Sequence, residues 1–173
     1  IAWKMNEESF IKNLNIFSDL KLRGSWGIIG NQAIAPYQTI SSMASGSNYP
    51  YNGNDATDLG FIISNPPNPN LKWESTTQTN VGLDVAFFKG RLNATVDLYK
   101  KTTKDLLLRR TLPGYTGFSS IMDNVGSVEN KGLELSINGD PLVGKIKWSS
   151  GFNISWNRNK VLDLGEADRL EFK

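Results

Sequence analysis

The sequence predicts an all-β protein of long antiparallel strands with one short helix near the N-terminus. Apolar and polar residues alternate over several long segments, and short turns alternate with long connections rich in Gly, Asn and Ser. The 173 residues include no Cys and no His, and they carry a formal net charge of +2. This composition excludes Cys–His and Ser–His–Asp catalytic sites, disulfides and zinc sites built from Cys or His. It also argues against a nucleic-acid partner.

The predicted elements run from an amphipathic helix to five long strands. Residues 6–17 predict the helix because Phe10, Leu14 and Phe17 recur at helical spacing. From residue 20 onward the period changes to two, which is typical of strands with two different faces. The long strands are predicted at 20–28, 72–88, 91–103, 123–138 and 145–158, and shorter candidates lie near 37–43 and 60–63.

Two predicted hairpins concentrate their apolar residues beside a short turn. The turns are Lys89-Gly90 and the segment 138–144, and the strand ends far from them are polar on both faces. The segment 72–88 would span roughly 56 Å, which a soluble sandwich seldom needs. Short turns, long loops and an apolar band of about 25 Å are typical of a transmembrane β-barrel. The apolar runs are Val81 to Phe87, Leu92 to Leu98, Leu133 to Ile137 and Ile146 to Trp156.

A soluble sheet remains the alternative architecture at this point. Trp148 and Trp156 share one face about 27 Å apart along their strand, a spacing that suits two aromatic girdles but also a packed core. Barrels made by a single chain have at least eight strands, and an open sheet would leave its edges exposed to lipid. The chain is therefore either a piece of a larger barrel or not a barrel.

Specific motifs in two segments carry a resemblance to a known family. The segments are NPNLKWESTTQTNVGLDVAFFKGRLNATVDLYKKTTKDLLL at 68–108 and TGFSSIMDNVGSVENKGLELSI at 116–137. With IFSDLKLRGSWGIIGN at 16–31 and the strand at 145–158, they resemble the C-terminal barrel region of SusC/RagA-type TonB-linked outer-membrane transporters. The resemblance covers nearly the whole chain.

The resemblance implies a plugged barrel of about 22 strands in the bacterial outer membrane. Such a barrel imports oligosaccharides or peptides with energy from TonB, is capped by a SusD-like lipoprotein and is not an enzyme. Plug, TonB-contacting segment, signal peptide and closing strand are not recognisable, so residues 1–173 are expected to form an internal slice of the barrel. The segments 30–70 and 104–122 are then its extracellular loop regions.

Aromatic residues in these two loop regions are the candidate contact site for ligand or partner. Such rings stack on sugars or pack against a lid protein, although they also order long loops by packing on one another. A secreted or periplasmic carbohydrate-binding β-sandwich would use the same residues and would bury the Trp148/Trp156 face against a second sheet. The candidate residues are Tyr49, Tyr51, Tyr115 and Phe118.

Three polar groups are weaker candidates. The acidic segment NGNDATD at 52–58 offers oxygen ligands but lacks the EF-hand pattern, so we interpret it as a solvated loop and predict no metal or cofactor. Arg109 and Arg110 form a basic cluster with Lys100, Lys101 and Lys104, suited to anionic lipopolysaccharide or a lid protein. The third group is expected on the lumen face, where it forms a plain hydrated interior or else lines the pore or hydrogen-bonds a plug, and comprises Glu74, Gln78, Asn80, Asp84, Asn93, Thr95 and Asp97.

Overall fold

The computed structural model of the protein describes residues 1–50 and 57–165, and within them the chain is almost entirely β. The helical elements of this part are α1 (Ser9–Lys12) and two single turns of 3-10 helix, Met5–Glu7 and Gly114–Thr116. No helix among the described residues is long and apolar enough to cross a lipid bilayer. The strands are β1 (Ala2–Lys4), β2 (Phe17–Asn31), β3 (Ser42–Pro50), β4 (Thr57–Asn65), β5 (Glu74–Phe87), β6 (Leu92–Lys104), β7 (Leu107–Thr111), β8 (Ser120–Asn124), β9 (Ser127–Val143) and β10 (Lys147–Asp163).

The chain divides into two compact units. The first, which we call the sheet unit, comprises 1–29, 76–103 and 128–162. The second, which we call the loop unit, comprises 30–75, 104–127 and the residues from Asp163 onward. Each unit is described by itself.

The sheet unit is built on a six-stranded sheet with the strand order β1-β2-β5-β6-β9-β10. A tight turn joins β5 to β6, in which the Gly90 N–H donates to the Phe87 C=O at 3.1 Å. Phe88 and Lys89 have φ values of 53° and 56°, which are typical of a type I′ hairpin turn. Only three residues separate β9 from β10. Both turns are therefore short.

The two faces of this sheet differ in chemistry because the side chains alternate along each strand. One face carries apolar side chains that are largely exposed, among them Trp26, Leu98, Trp148, Phe152 and Trp156. Few apolar residues of the described part are buried, namely Leu20, Leu71, Ala86 and Val125. A water-soluble domain of this size would bury much more apolar surface. The sheet therefore lacks the core of a soluble sandwich.

The loop unit contains two hairpins of its own. β3 pairs with β4 and β7 pairs with β8, both antiparallel, and the first pair contains irregularities of register. The predicted loop regions 30–70 and 104–122 are thus partly β-structure. β3 was hard to predict from sequence because its residues (SMASGSNYP) are mostly small and polar and do not alternate with apolar ones. The candidate at 60–63 lies within β4, whereas the candidate at 37–43 is mostly turn before β3 begins.

Several predicted boundaries were wrong. The helix predicted at 6–17 shrinks to the four residues of α1, because a short helix is marginal unless its apolar side is covered and Phe10 and Leu14 remain exposed. The strand predicted at 123–138 is two strands, since the chain turns at Gly126 with a φ of 85°. The turn predicted at 138–144 is still strand, because the Asp140 N–H donates to the Arg91 C=O at 2.8 Å and continues the ladder.

Candidate functional site

Arg23 organises the polar face of the sheet unit. Its guanidinium donates from Nε to Asp84 Oδ2 at 2.8 Å and from Nη2 to Asp84 Oδ1 at 3.0 Å. The same Nη2 also donates to Asp97 Oδ1 at 3.0 Å, and the Thr95 hydroxyl donates to Asp84. These charge-assisted bonds join β2, β5 and β6 at one point on the face.

Gly82 makes this bridge possible. It lies on β5, the strand between Arg23 and Asp97, and it is buried beneath the ion cluster. A Cβ at this position would lie 2.7 Å from Arg23 Nη2 and would also meet the Asp97 carboxylate. The absence of a side chain therefore leaves the space that the guanidinium occupies.

A polar groove of about 720 Å³ surrounds the cluster. Besides Arg23 and Asp97, it is lined by the charged residues Lys101 and Glu134 and by amides from β5. The groove offers balanced charge and many hydrogen-bonding groups. In the part of the chain that the structure describes, no three Asp or Glu side chains lie close enough together to hold a metal ion. Such a surface can hydrogen-bond water, a polar solute or another polar protein surface.

Most of the predicted lumen-facing residues belong to this polar surface, but several already have partners. Gln78 and Asn80 line the groove, and Asp84, Thr95 and Asp97 form the ion cluster. Asn93 instead donates to the Gly90 C=O at the hairpin turn. The alternation of residues 20–28 puts Arg23 on the face opposite Leu22 and Trp26, but its partners cannot be identified without the strand order.

The opposite face of the sheet unit is suited to lipid. Trp148, Phe152 and Trp156 follow one another along β10 with 57%, 54% and 53% of their surfaces exposed. A contiguous apolar surface of this extent is unfavourable in water and is typical of an interaction face. The sandwich alternative required a second sheet to cover the Trp148/Trp156 face, and these exposed fractions argue against it.

The motif residues of the loop unit hold its backbone together. The Asn124 side chain accepts a hydrogen bond from the Lys72 N–H at 2.8 Å and donates to the Lys72 C=O at 2.7 Å. It also donates to the Asp105 C=O at 2.9 Å. The Glu74 carboxylate accepts from the Leu107 N–H and from Asn31 Nδ2, both at 3.0 Å. Glu74, predicted to line the pore, therefore has a structural role in this unit.

Asn68 makes a comparable link from the first motif segment. Its side-chain amide donates to the Met122 C=O at 2.8 Å. The ion pair between Lys72 and Asp105, at 3.0 Å, joins the same two stretches. The ion pair between Arg110 and Asp123, at 3.1 Å, joins β7 to β8 within their hairpin. The motif asparagines thus connect the stretch 68–75 to the stretch 105–124.

The predicted contact aromatics occupy different surroundings. Tyr115 lies in the 3-10 turn between β7 and β8 with 90% of its surface exposed, whereas Phe118 is half-buried beside a small groove of the loop unit. Tyr49 belongs to β3, and Tyr51 lies outside the described residues. Most of the acidic segment 52–58 is also outside them, and its last two residues begin β4.

The predicted basic cluster is divided between the units. Lys100 pairs with Glu129 at 2.9 Å in the sheet unit, and Arg110 pairs with Asp123 in the loop unit. Lys101 lines the polar groove, and so lies on the opposite face from Lys100. The five residues therefore do not act as one patch within either unit.

Comparison with known proteins identifies the family. Residues 2–169 match the family described as TonB dependent receptor-like, beta-barrel. Three TonB-dependent receptors of Formosa agariphila are 42–44% identical over 98–99% of the chain. The TonB-dependent receptor SusC of Bacteroides thetaiotaomicron is 39% identical over 99% of it. The chain spans 16–17% of the length of these curated relatives.

Solved structures give the same result. The RagAB peptide transporter superimposes with a TM-score of 0.79 and 34% identity, covering 95% of this chain and 18% of that chain. The RagAB peptide importer in its closed-closed state gives a TM-score of 0.81 and 35% identity over the same shares. Barrels of this family lie in the outer membrane of Gram-negative bacteria, and the relatives are receptors and transporters rather than enzymes. The chain belongs to the TonB-dependent receptor β-barrel family, as a SusC/RagA-type segment of an outer-membrane barrel.

Proposed function

We propose that the chain forms part of the wall of a TonB-dependent importer of oligosaccharides or peptides that works with a SusD-like lipoprotein. The observation that carries the proposal is the two-faced sheet, with exposed aromatic and aliphatic side chains on one face and the Arg23 ion cluster on the other. A wall between lipid and a hydrated lumen requires this division. The wall itself performs no catalysis.

The apolar face is the lipid contact in this proposal. β10 has 17 residues and would span about 56 Å when extended. This length is enough for a tilted strand to cross the bilayer and extend beyond it. The polar face then lines the interior, where Arg23, Asp84 and Asp97 meet water or the plug. Both short turns lie at one end of the strands and would face the periplasm.

The segments 30–70 and 104–122 are the extracellular loop regions in this proposal, and their aromatics contact substrate or the lipoprotein. Tyr115 is the best placed of the four for contact because its side chain is almost fully exposed. Phe118 is half-buried, so less of its ring is available for contact. Tyr49 and Tyr51 remain proposed contacts on sequence grounds.

Uptake by cells that carry the complete transporter tests the function. A strain lacking its own importer of this type should gain uptake of a labelled oligosaccharide mixture or of a labelled peptide mixture, and should lose it when TonB is deleted. Uptake that persists without TonB would contradict the proposal. Uptake of one mixture and not the other would decide the substrate class.

The aromatic contacts need a second measurement in the same cells. Tyr115→Ala should raise the substrate concentration for half-maximal uptake severalfold without lowering the amount of barrel in the outer membrane, because an exposed ring adds little to folding. Phe10→Ala, an exposed aromatic outside the two loop regions, is the matched control. Equal uptake curves for both variants would remove Tyr115 from the contact site.

A further inference from the structure

The apolar face of the sheet unit contains a groove with a cationic edge. The groove is about 750 Å³ and is formed by β5, β6, β9 and β10. Val81, Leu98, Leu133 and Trp156 form its apolar part. Lys100, Lys131 and Arg158 also line it. Three neighbouring strands therefore each contribute one cation to the same groove.

These cations border the apolar band in a regular way. Each lies two residues from an apolar groove residue of its own strand: Lys100 from Leu98, Lys131 from Leu133 and Arg158 from Trp156. Two residues along a strand return to the same face after about 6.6 Å. In every case the cation is on the side away from the short turns. Such a position beside a Trp is typical of the headgroup level of a bilayer.

The protein neutralises only part of this charge. Glu129 pairs with Lys100 at 2.9 Å and approaches Lys131 at 3.8 Å. None of the ion pairs among residues 1–50 and 57–165 involves Arg158. Like charges on neighbouring strands repel one another, and Glu129 is the one carboxylate in these ion pairs, shared between Lys100 and Lys131. The groove is thus short of negative charge where it borders its apolar part.

We propose that this groove binds a phosphorylated glycolipid of the outer leaflet. Its phosphate lies against Lys131 and Arg158, and an acyl chain lies along Val81, Leu98 and Leu133. A guanidinium binds phosphate with two parallel hydrogen bonds, and an ammonium adds a point charge. Charge and apolar surface meet in one groove, as they do in such a lipid. The assignment to the outer leaflet rests on the orientation given in the proposed function.

Native mass spectrometry of the complete transporter in detergent tests the proposal. The probe is hexa-acylated lipid A with both phosphates, compared with the same lipid after removal of the phosphates. The unmodified protein should retain the phosphorylated lipid, and the double variant Lys131→Gln/Arg158→Gln should bind it at least about tenfold less tightly. Lys100 and Glu129 keep their ion pair in this variant.

Two controls make the outcome decisive. Lys147→Gln removes one positive charge at the turn end of β10, outside the groove lining, and should leave lipid binding unchanged. Lys131→Arg keeps the charge and should keep the binding, so a general folding defect is distinguished from the loss of a phosphate contact. Equal retention of both lipids, or unchanged binding by the double variant, would overturn the proposal. TonB-dependent uptake by the double variant is measured separately, so a failed transport assay does not decide the lipid result.

Discussion

Arg23 on β2 and Asp97 on β6 form an ion pair across an intervening strand. Their Nη2 and Oδ1 atoms are 3.0 Å apart, although β5 lies between β2 and β6 in the sheet. The guanidinium reaches over Gly82 and also makes two hydrogen bonds with Asp84 on β5 itself. One side chain therefore fixes three strands relative to one another, at a point where the middle strand has no side chain.

Replacing Gly82 should break the ion pair between Arg23 and Asp97, which passes over it. In Gly82→Ala the new methyl group meets the ends of the Arg23 and Asp97 side chains rather than backbone. The two side chains therefore move apart, and the strand pairing of the sheet is kept. We expect a loss of about 1 kcal/mol, the scale of a partly exposed pair. Urea unfolding of the complete barrel in lipid vesicles measures it.

Gly24→Ala is the matched control for that measurement. Gly24 belongs to the same sheet, and a Cβ there would meet nothing within 4 Å. If Gly82→Ala were as stable as Gly24→Ala, the gap over Gly82 would not be needed for the Arg23–Asp97 contact.

The Arg23 cluster should also show energetic coupling. Arg23→Gln leaves the carboxylates of Asp84 and Asp97 without their shared cation, and we expect it to cost about 1–2 kcal/mol. Asp97→Asn should cost much less in that background than on its own, because its charge is then a source of repulsion. A double-mutant cycle from urea unfolding gives the coupling energy, and additive losses would mean that the two side chains act independently.

The loop unit depends on the pair of hydrogen bonds between Asn124 and Lys72. Asn124→Ala removes both, together with the bond to the Asp105 C=O, and leaves those backbone groups to water. We expect faster amide hydrogen exchange at Lys72 and in the segment 105–111, and a local loss of about 1–3 kcal/mol. Hydrogen exchange followed by mass spectrometry measures both.

Asn70→Ala serves as the control in that experiment. Asn70 is exposed and lies two residues before Lys72, and the hydrogen bond it makes among the described residues comes from its backbone N–H. Equal exchange in the two variants would show that the Asn124 amide does not hold the segment.

The alternation of side chains was sufficient to predict the long strands and their two faces. β5 and β6 were predicted to within two residues at each end and β10 to within five, because a strand between two different solvents must alternate along most of its length. The fold class, the family and the outer-membrane location were confirmed by the comparisons. The length of the helix predicted at 6–17 was overestimated, because periodicity does not show whether other residues cover its apolar side.

The partners within the candidate sites were beyond reach of the sequence. Lys72 and Asn124 are 52 positions apart, and their contact depends on a fold that brings two polar stretches together. The two segments that contain them resemble the family, but no spacing rule indicates that the Asn124 side chain hydrogen-bonds the backbone rather than a ligand. The same holds for Lys131 and Arg158, which lie on separate strands and meet in one groove only through the strand order.

The apolar band can be tested with two neighbouring positions on β10. Phe152 lies midway between Trp148 and Trp156, and Asn153 is the next residue and points to the other face. A cation facing the middle of the bilayer costs about 2–4 kcal/mol in an outer-membrane barrel, whereas one facing the lumen is tolerated. Phe152→Lys should therefore lower the amount of folded barrel severalfold, and Asn153→Lys should leave it nearly unchanged. Folded and unfolded forms are separated by their different mobility on unheated gels. Loss in Asn153→Lys alone would reverse the assignment of the two faces, and equal loss in both variants would contradict a difference between them.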